Sequence, residues 1–327
     1  MEDEIVYGSP SSQIEELKQS VELIKSEISK VIVGQEMNID LILIALLTEG
    51  HLLLEGVPGV AKTLTANLLS GTINAGFSRI QFTPDLMPSD VTGTSVFNYK
   101  TSEFEFKQGP LFSNIVLIDE INRSPAKTQA SLFEVMQERQ ITSDGVTYSL
   151  DFPFIVIATQ NPVEQEGTYQ LPEAQLDRFM FKLNVEYPSP EEEFEILKRK
   201  NELKNGSELE KINKVIDAAT LKKHKDLIAH ISIDDSLLKY IAQAVDQTRN
   251  NSSLYLGASP RASIALMNGA KAFAAIKGRT YVTPEEIKAL LPYVLKHRVV
   301  LSPEKEMEGI TKSDVINEII TQVEIPR

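Results

Sequence analysis

Gly56-Val57-Pro58-Gly59-Val60-Ala61-Lys62-Thr63 follows a short apolar run at 51–55 and leads into a helical stretch at 64–69. A strand, a glycine-bearing loop and a helix start, in that order, make a phosphate-binding loop. Successive backbone N–H groups wrap phosphate oxygens, and the helix N-terminus adds a favourable dipole. Gly56, Pro58, Gly59, Val60, Ala61, Lys62, Thr63 and Leu64 are therefore candidate nucleotide-binding residues. Lys62 can reach the β and γ phosphates, and the Thr63 hydroxyl can ligate Mg2+. The strict pattern has glycine before the lysine. Ala61 departs from it by one methyl group and narrows the allowed backbone angles. The competing reading, a Gly/Pro turn beside a chance Lys-Thr, is opposed by the flanking strand and helix.

Outward from this loop, short apolar runs recur at 80–83, 115–118, 154–158 and 181–185, mostly separated by helical stretches. Buried strands alternating with helices indicate a parallel sheet covered on both faces. The run at 115–118 ends in Asp119-Glu120, at the strand end where such sheets bind ligands. Asp119 is expected to hold Mg2+ through its water shell, and Glu120 to polarise an attacking water as general base. The run at 154–158 leads to Thr159-Gln160-Asn161. Asn161 can hydrogen-bond a water and a γ-phosphate, but Asn-Pro also simply starts turns, and the residues alone favour the turn. Arg178 and Arg261 each stand beside apolar residues. A guanidinium fork suits phosphate, although a surface salt bridge is the commoner fate of a lone arginine. Pro260 reads as a first helical residue, which puts Arg261 near a helix N-terminus.

Apolar spacing of three or four residues predicts an amphipathic helix over 13–31, after a loose tail at 1–12, and a second helix is expected over 38–48. Two hairpins interrupt the α/β alternation. One covers about 93–108, with aromatics alternating at Phe97, Tyr99, Phe104 and Phe106. The other covers about 140–150 and turns at Asp144-Gly145. The alternating aromatics favour cross-strand packing over substrate contact. Tyr187-Pro188-Ser189-Pro190 marks a boundary beyond which the pattern is helical, with a capping box at Thr283-Pro284-Glu285-Glu286. The expected domains are 13–189, nucleotide-binding, and 190–327, helical.

The 327 residues carry 33 Lys and Arg against 46 Asp and Glu, a net charge of −13 that opposes nucleic acid as main partner. Cysteine is absent, which excludes disulfides, thiolate catalysis and Cys-ligated zinc. The acidic start has no signal-peptide pattern, and no apolar run approaches the ~20 residues of a membrane span. A cytoplasmic protein without membrane insertion is expected.

Taken together and in order, several stretches resemble the AAA+ ATPases and, within them, the MoxR family. They are Val31-Ile32-Val33-Gly34-Gln35-Glu36, the 56–63 loop, 82–93 (FTPDLMPSDVTG), Gly109-Pro110-Leu111, Asp119 to Pro125, Ala158 to Pro162, 171–179 and 257–261. MoxR-like proteins often carry alanine where Ala61 stands. The resemblance implies an α/β P-loop core of five parallel strands with hairpin inserts, followed by an all-helical lid. It makes Lys62 and Thr63 the Walker A pair, Asp119 and Glu120 Walker B, Asn161 sensor 1 and Arg261 sensor 2. Arg178 matches the arginine finger that acts on a neighbouring subunit's ATP, with Arg123 a second candidate for such a contact. Ile32, Val33 and Gly34 match the adenine-pocket segment. ATP and Mg2+ are the implied cofactors, and an in-trans arginine implies a homo-oligomer, typically a hexameric ring. Members are commonly chaperone-like remodellers of client proteins and often work with von Willebrand factor A-domain partners. In that branch the hairpins face the pore or the substrate. Two alternatives stand beside this reading: an ATP-dependent interaction switch with little turnover, and a nucleic-acid motor, which the charge opposes.

Overall fold

The computed structural model describes residues 10–56, 61–160, 169–203 and 208–325. The chain forms two compact units, 26–218 and 219–327, the second together with residues up to Lys25.

In the first unit, α1 (Pro10–Ser29, which crosses the division) and α2 (Glu36–Thr48) precede β1 (Leu52–Gly56) and α3 (Lys62–Thr72). Next come β2 (Phe77–Gln81), α4 (Pro88–Thr92), the hairpin β3 (Gly93–Asn98) and β4 (Glu103–Gln108), β5 (Ile115–Asp119) and α5 (Ala126–Glu138). A second hairpin, β6 (Gln140–Ser143) and β7 (Val146–Ser149), leads to β8 (Ile155–Gln160), α6 (Glu173–Leu176), β9 (Phe181–Val185) and α7 (Pro190–Leu203). The main sheet runs β2-β5-β8-β1-β9, parallel at every pairing, as expected. β5 is buried along its whole length and β8 up to its last residue, as strands covered on both faces must be. On one face Leu53, Val116, Ile118, Val156 and Ala158 pack with Leu132, Phe133 and Met136 of α5. α2 is apolar all round and buried from Leu41 to Leu47.

The run expected at 80–83 is a strand over Phe77–Gln81 instead. β2 is an edge strand that alternates exposed Arg79 and Gln81 with buried Ile80, so half of it carries no apolar signal. Both hairpins form where expected. Asp144 and Gly145 each have positive φ, 51° and 76°, the signature of a type I′ turn.

α7 lies within the first compact unit, although Tyr187–Pro190 reads as the start of the helical part. Arg199 donates to the Ser29 carbonyl, Asn213 N–H to Glu27 Oε2 at 2.8 Å, and Val215 N–H to the Thr72 carbonyl at 2.8 Å. These bonds hold α7 and the segment 208–216 to the α/β core.

The second unit holds α8 (Ala218–Ala229), α9 (Asp235–Asn250), β10 (Leu254–Leu256), α10 (Pro260–Ile276), α11 (Pro284–Leu295), β11 (Val300–Leu301), α12 (Pro303–Met307) and α13 (Lys312–Gln322). Pro260 is in the first turn of α10, and Thr283 and Glu286 form the expected capping box of α11. The Glu286 carboxylate is wholly buried and also meets Arg279 and Thr283 Oγ1, which satisfies its charge. No described helix is long and apolar enough to cross a membrane.

Candidate functional site

β1, β5 and β8 are neighbours and parallel, so their C-terminal ends open on one edge of the sheet. That edge gathers Gly56, the start of α3, Asp119, Glu120 and Thr159. Pro58, Gly59, Val60 and Asn161 lie outside the described residues. Ala61 caps α3 in the left-handed region, at φ 59° and ψ 17°. This is the backbone angle for which the strict pattern keeps glycine. Lys62 and Thr63 open the helix, and Leu64 continues it.

Lys62 Nζ donates to the Gly56 carbonyl at 2.6 Å. Burial pulls its pKa below the ordinary lysine value, while the negative charges of Asp119, Glu120 and Glu55 act in the opposite sense. The ammonium is thus partly buried and lies in the field of three carboxylates.

Asp119 is buried, with 7% of its surface exposed. Its Oδ1 accepts from Thr159 Oγ1 at 3.2 Å and its Oδ2 from Arg79 Nε at 2.7 Å. The same Thr159 hydroxyl accepts the backbone N–H of Glu120 at 3.1 Å. Glu120 sits at φ 58°, strained for a residue with a side chain. That angle turns the chain at the strand end and aims the two acids differently. Glu120 Oε2 accepts from Gln81 Nε2 at 2.7 Å and pairs with Arg123 Nε at 3.0 Å.

The chemistry of the donors fits a hard divalent ion. Asp119 offers a carboxylate and Thr63 a hydroxyl, while no cluster of three or more His, Cys, Asp or Glu exists among the described residues. A site of this kind suits Mg2+, which takes one or two protein oxygens and completes its shell with phosphate and water.

Ile32 is buried and Val33 half-buried, and Gly34 and Gln35 follow at φ 68° and 58°. A Cβ on Gly34 would run into the Glu192 carboxylate. Glu192 Oε2 accepts from Ser189 N–H at 2.8 Å, so the start of α7 closes over this segment.

Arg178 is half-buried. Its Nη1 donates to the Phe133 carbonyl at 2.8 Å, and its guanidinium carbon lies 5.9 Å from the Phe133 ring centre. Arg261 stands exposed in the first turn of α10, where the Ser259 hydroxyl accepts its backbone N–H at 3.1 Å. It belongs to the other compact unit.

On the hairpins, Phe97 faces Phe104 across the strands with ring centres 5.3 Å apart, as the alternation predicts. Phe106 stacks on Tyr148 at 4.6 Å, and Ser95 Oγ meets Asp144, so the two hairpins clasp each other. A cavity of about 690 Å³ lies between them, and Tyr99 and Phe104 remain 89% and 74% exposed.

Arg79, Gln81 and Thr159 complete the site without having been singled out in the sequence. In the sequence Arg79 and Gln81 stand only as polar residues flanking Ile80, and Thr159 as a hydroxyl at the end of the 154–158 run.

A parallel sheet of this order, with a lysine-bearing loop after one strand and an acid pair after another, defines a P-loop ATPase of the AAA+ class. The ATPase family associated with various cellular activities (AAA) matches residues 51–181, and the AAA lid domain matches residues 246–319. The chain is 49% identical to the uncharacterized protein YeaC of Bacillus subtilis, across 91% of this chain and 92% of that one. It is 42% identical to the chaperone MoxR1 of Mycobacterium tuberculosis, across 92% of this chain and 81% of that one. A crystal structure from Cytophaga hutchinsonii, described provisionally as an ATPase, matches with a TM-score of 0.90 at 44% identity. The match covers 97% of this chain and 98% of the other. The chain belongs to the MoxR family of AAA+ ATPases and is an ATP-hydrolysing enzyme.

Proposed function

We propose that the chain works as a ring-forming, Mg2+-dependent ATPase that remodels, assembles or activates a client protein in the cytoplasm. The observation that carries this reading is the convergence of Lys62, Asp119 and Glu120 at one edge of the sheet, with Thr159 tying the two acids together. The chaperone role follows the name of the Mycobacterium tuberculosis relative.

In this mechanism the loop from Gly56 to Thr63 binds the triphosphate, and Lys62 leaves the Gly56 carbonyl to meet it. Thr63 and Asp119 would hold Mg2+, which supplies charge neutralisation at the phosphates. Glu120 takes the proton of the attacking water, and its strained backbone fixes its direction. Val33 and Gly34 line the adenine pocket, Asn161 orients the water, and Arg261 is the sensor 2 residue for the γ-phosphate. Arg178 leaves the Phe133 carbonyl to act on the neighbouring subunit's ATP, which makes a closed ring, six subunits in the usual case, the active form. The exposed aromatics of β3 and β4 are the surface for the client, and a von Willebrand factor A-domain protein is a candidate partner.

The test is Mg2+-dependent ATP hydrolysis as a function of protein concentration. Specific activity that rises with concentration supports a shared site. Flat activity overturns the in-trans arginine, and ATP binding without turnover at any concentration moves the interaction switch ahead.

A further inference from the structure

β2 pairs with β5 in a register that sets Arg79 opposite Leu117 and Gln81 opposite Asp119. Arg79 therefore starts two residues short of the acid and reaches diagonally forward along the sheet edge to place Nε on Oδ2. The two oxygens of Asp119 are thus held differently. Oδ1 belongs to Thr159, itself fixed by the Glu120 N–H within the buried sheet end. Oδ2 faces a guanidinium whose side chain is 55% exposed, against 10% for the aspartate. The arginine can swing into solvent without opening a hole in the core, whereas Thr159 cannot.

We infer that Arg79 is the resident cation of Asp119 and competes with the divalent ion for that carboxylate, so that it sets the metal affinity of the nucleotide-bound enzyme. The inference rests on the Mg2+ reading of Asp119 above. With Oδ1 held by the Thr159 hydroxyl, a hydrated divalent ion on Asp119 would meet the guanidinium at Oδ2, where two cations repel each other. Metal entry is then coupled to release of Arg79 from the sheet edge. A positioning role in which Arg79 stays on Asp119 and orients it for the metal predicts the opposite sign, because loss of such an orienting partner weakens metal binding.

The experiment titrates Mn2+ into the full-length protein saturated with a non-hydrolysable ATP analogue, reading free Mn2+ by electron paramagnetic resonance. Arg79→Met keeps the aliphatic stem and removes the charge. It is expected to reach half-saturation at about fivefold lower Mn2+, the scale of one partly exposed ion pair. Arg79→Lys restores the charge and is expected to return towards the wild-type value. Equal or weaker Mn2+ binding by Arg79→Met overturns the competition. If Arg79→Met fails to fold, Arg79→Gln gives the same comparison. A wild-type chain that binds no nucleotide at saturating Mg2+ overturns the phosphate-site reading itself, a failure distinct from an unchanged Mn2+ curve.

Discussion

Gln81 Nε2 donates to Glu120 Oε2 at 2.7 Å, so the acid expected to activate water is tethered to the edge strand of the sheet. Arg123 holds the same oxygen from the following turn. Glu120→Gln removes the proton acceptor and leaves Lys62 and the loop in place. Turnover should fall by about 10²-fold or more, with ATP affinity retained. Phosphate release and calorimetric nucleotide titration measure the two separately, and normal hydrolysis by the variant would remove Glu120 as the base.

Thr159 joins both acids through one hydroxyl, and it is 3% exposed. Thr159→Val keeps the shape, but leaves the Glu120 N–H without its acceptor and Asp119 Oδ1 without its donor. Stability should drop by about 2 kcal/mol, the scale of stranding a buried polar group. Thr159→Ser should recover most of it. Urea denaturation of the three proteins decides this, and equal midpoints for all of them would show that the hydroxyl contributes nothing.

Ala61 holds the left-handed angles that the loop demands, at φ 59°. Ala61→Gly removes the Cβ clash and should raise stability by up to about 1 kcal/mol, with nucleotide binding intact. Thermal unfolding with and without nucleotide is the check. A less stable glycine variant would mean that the wider unfolded ensemble outweighs the relieved strain.

This loop was legible because its chemistry is local: the strand, the turn residues and the helix start occupy consecutive positions. The acid pair after β5 was legible for the same reason, and so was the Asp144-Gly145 turn. Arg79 and Gln81 were not, because their importance lies in inter-strand register, and nothing in Arg79-Ile80-Gln81 states which strand lies alongside. The end of the α/β unit was also misleading locally. Tyr187–Pro190 does break the chain, but α7 returns to the core through the bond from Arg199 to Ser29, and Asn213 and Val215 beyond it bond to Glu27 and Thr72, all residues far apart in sequence.

His51 lies at the base of β1, 5% exposed. Its Nδ1 accepts the Val156 N–H at 3.0 Å, and its Nε2 donates to the Met136 carbonyl at 2.9 Å. Both bonds use the neutral ring. Burial lowers its pKa from 6.5 to about 4, against a smaller upward pull from the Met136 carbonyl. Between those values the unfolded chain binds the proton and the folded chain does not. The contribution is therefore complete above pH 6.5 and is lost as pH falls towards 4, by about 3 kcal/mol at about 1.36 kcal/mol per pH unit. His51→Gln removes the titration, so its unfolding free energy should fall less steeply over that window. Parallel profiles would show that the imidazole charges inside the fold.

Arg178 and Glu120 are expected to serve one ATP from two different chains. Arg178→Ala should then lose most activity alone while still binding ATP, and Glu120→Gln should do the same for a different reason. Mixing the two inactive proteins makes rings in which some sites join the intact Glu120 of one variant to the intact Arg178 of the other. With random mixing at equal amounts, about a quarter of the sites in a head-to-tail ring are complete, so activity should reappear at about that fraction of wild type. Each protein alone, at the same total concentration, stays inactive. If Arg178 instead served its own chain's nucleotide, no mixed site would be complete and the mixture would remain as inactive as its parts. The complementation assay therefore reads the direction of the arginine, which the bond from Arg178 to the Phe133 carbonyl leaves open to either subunit.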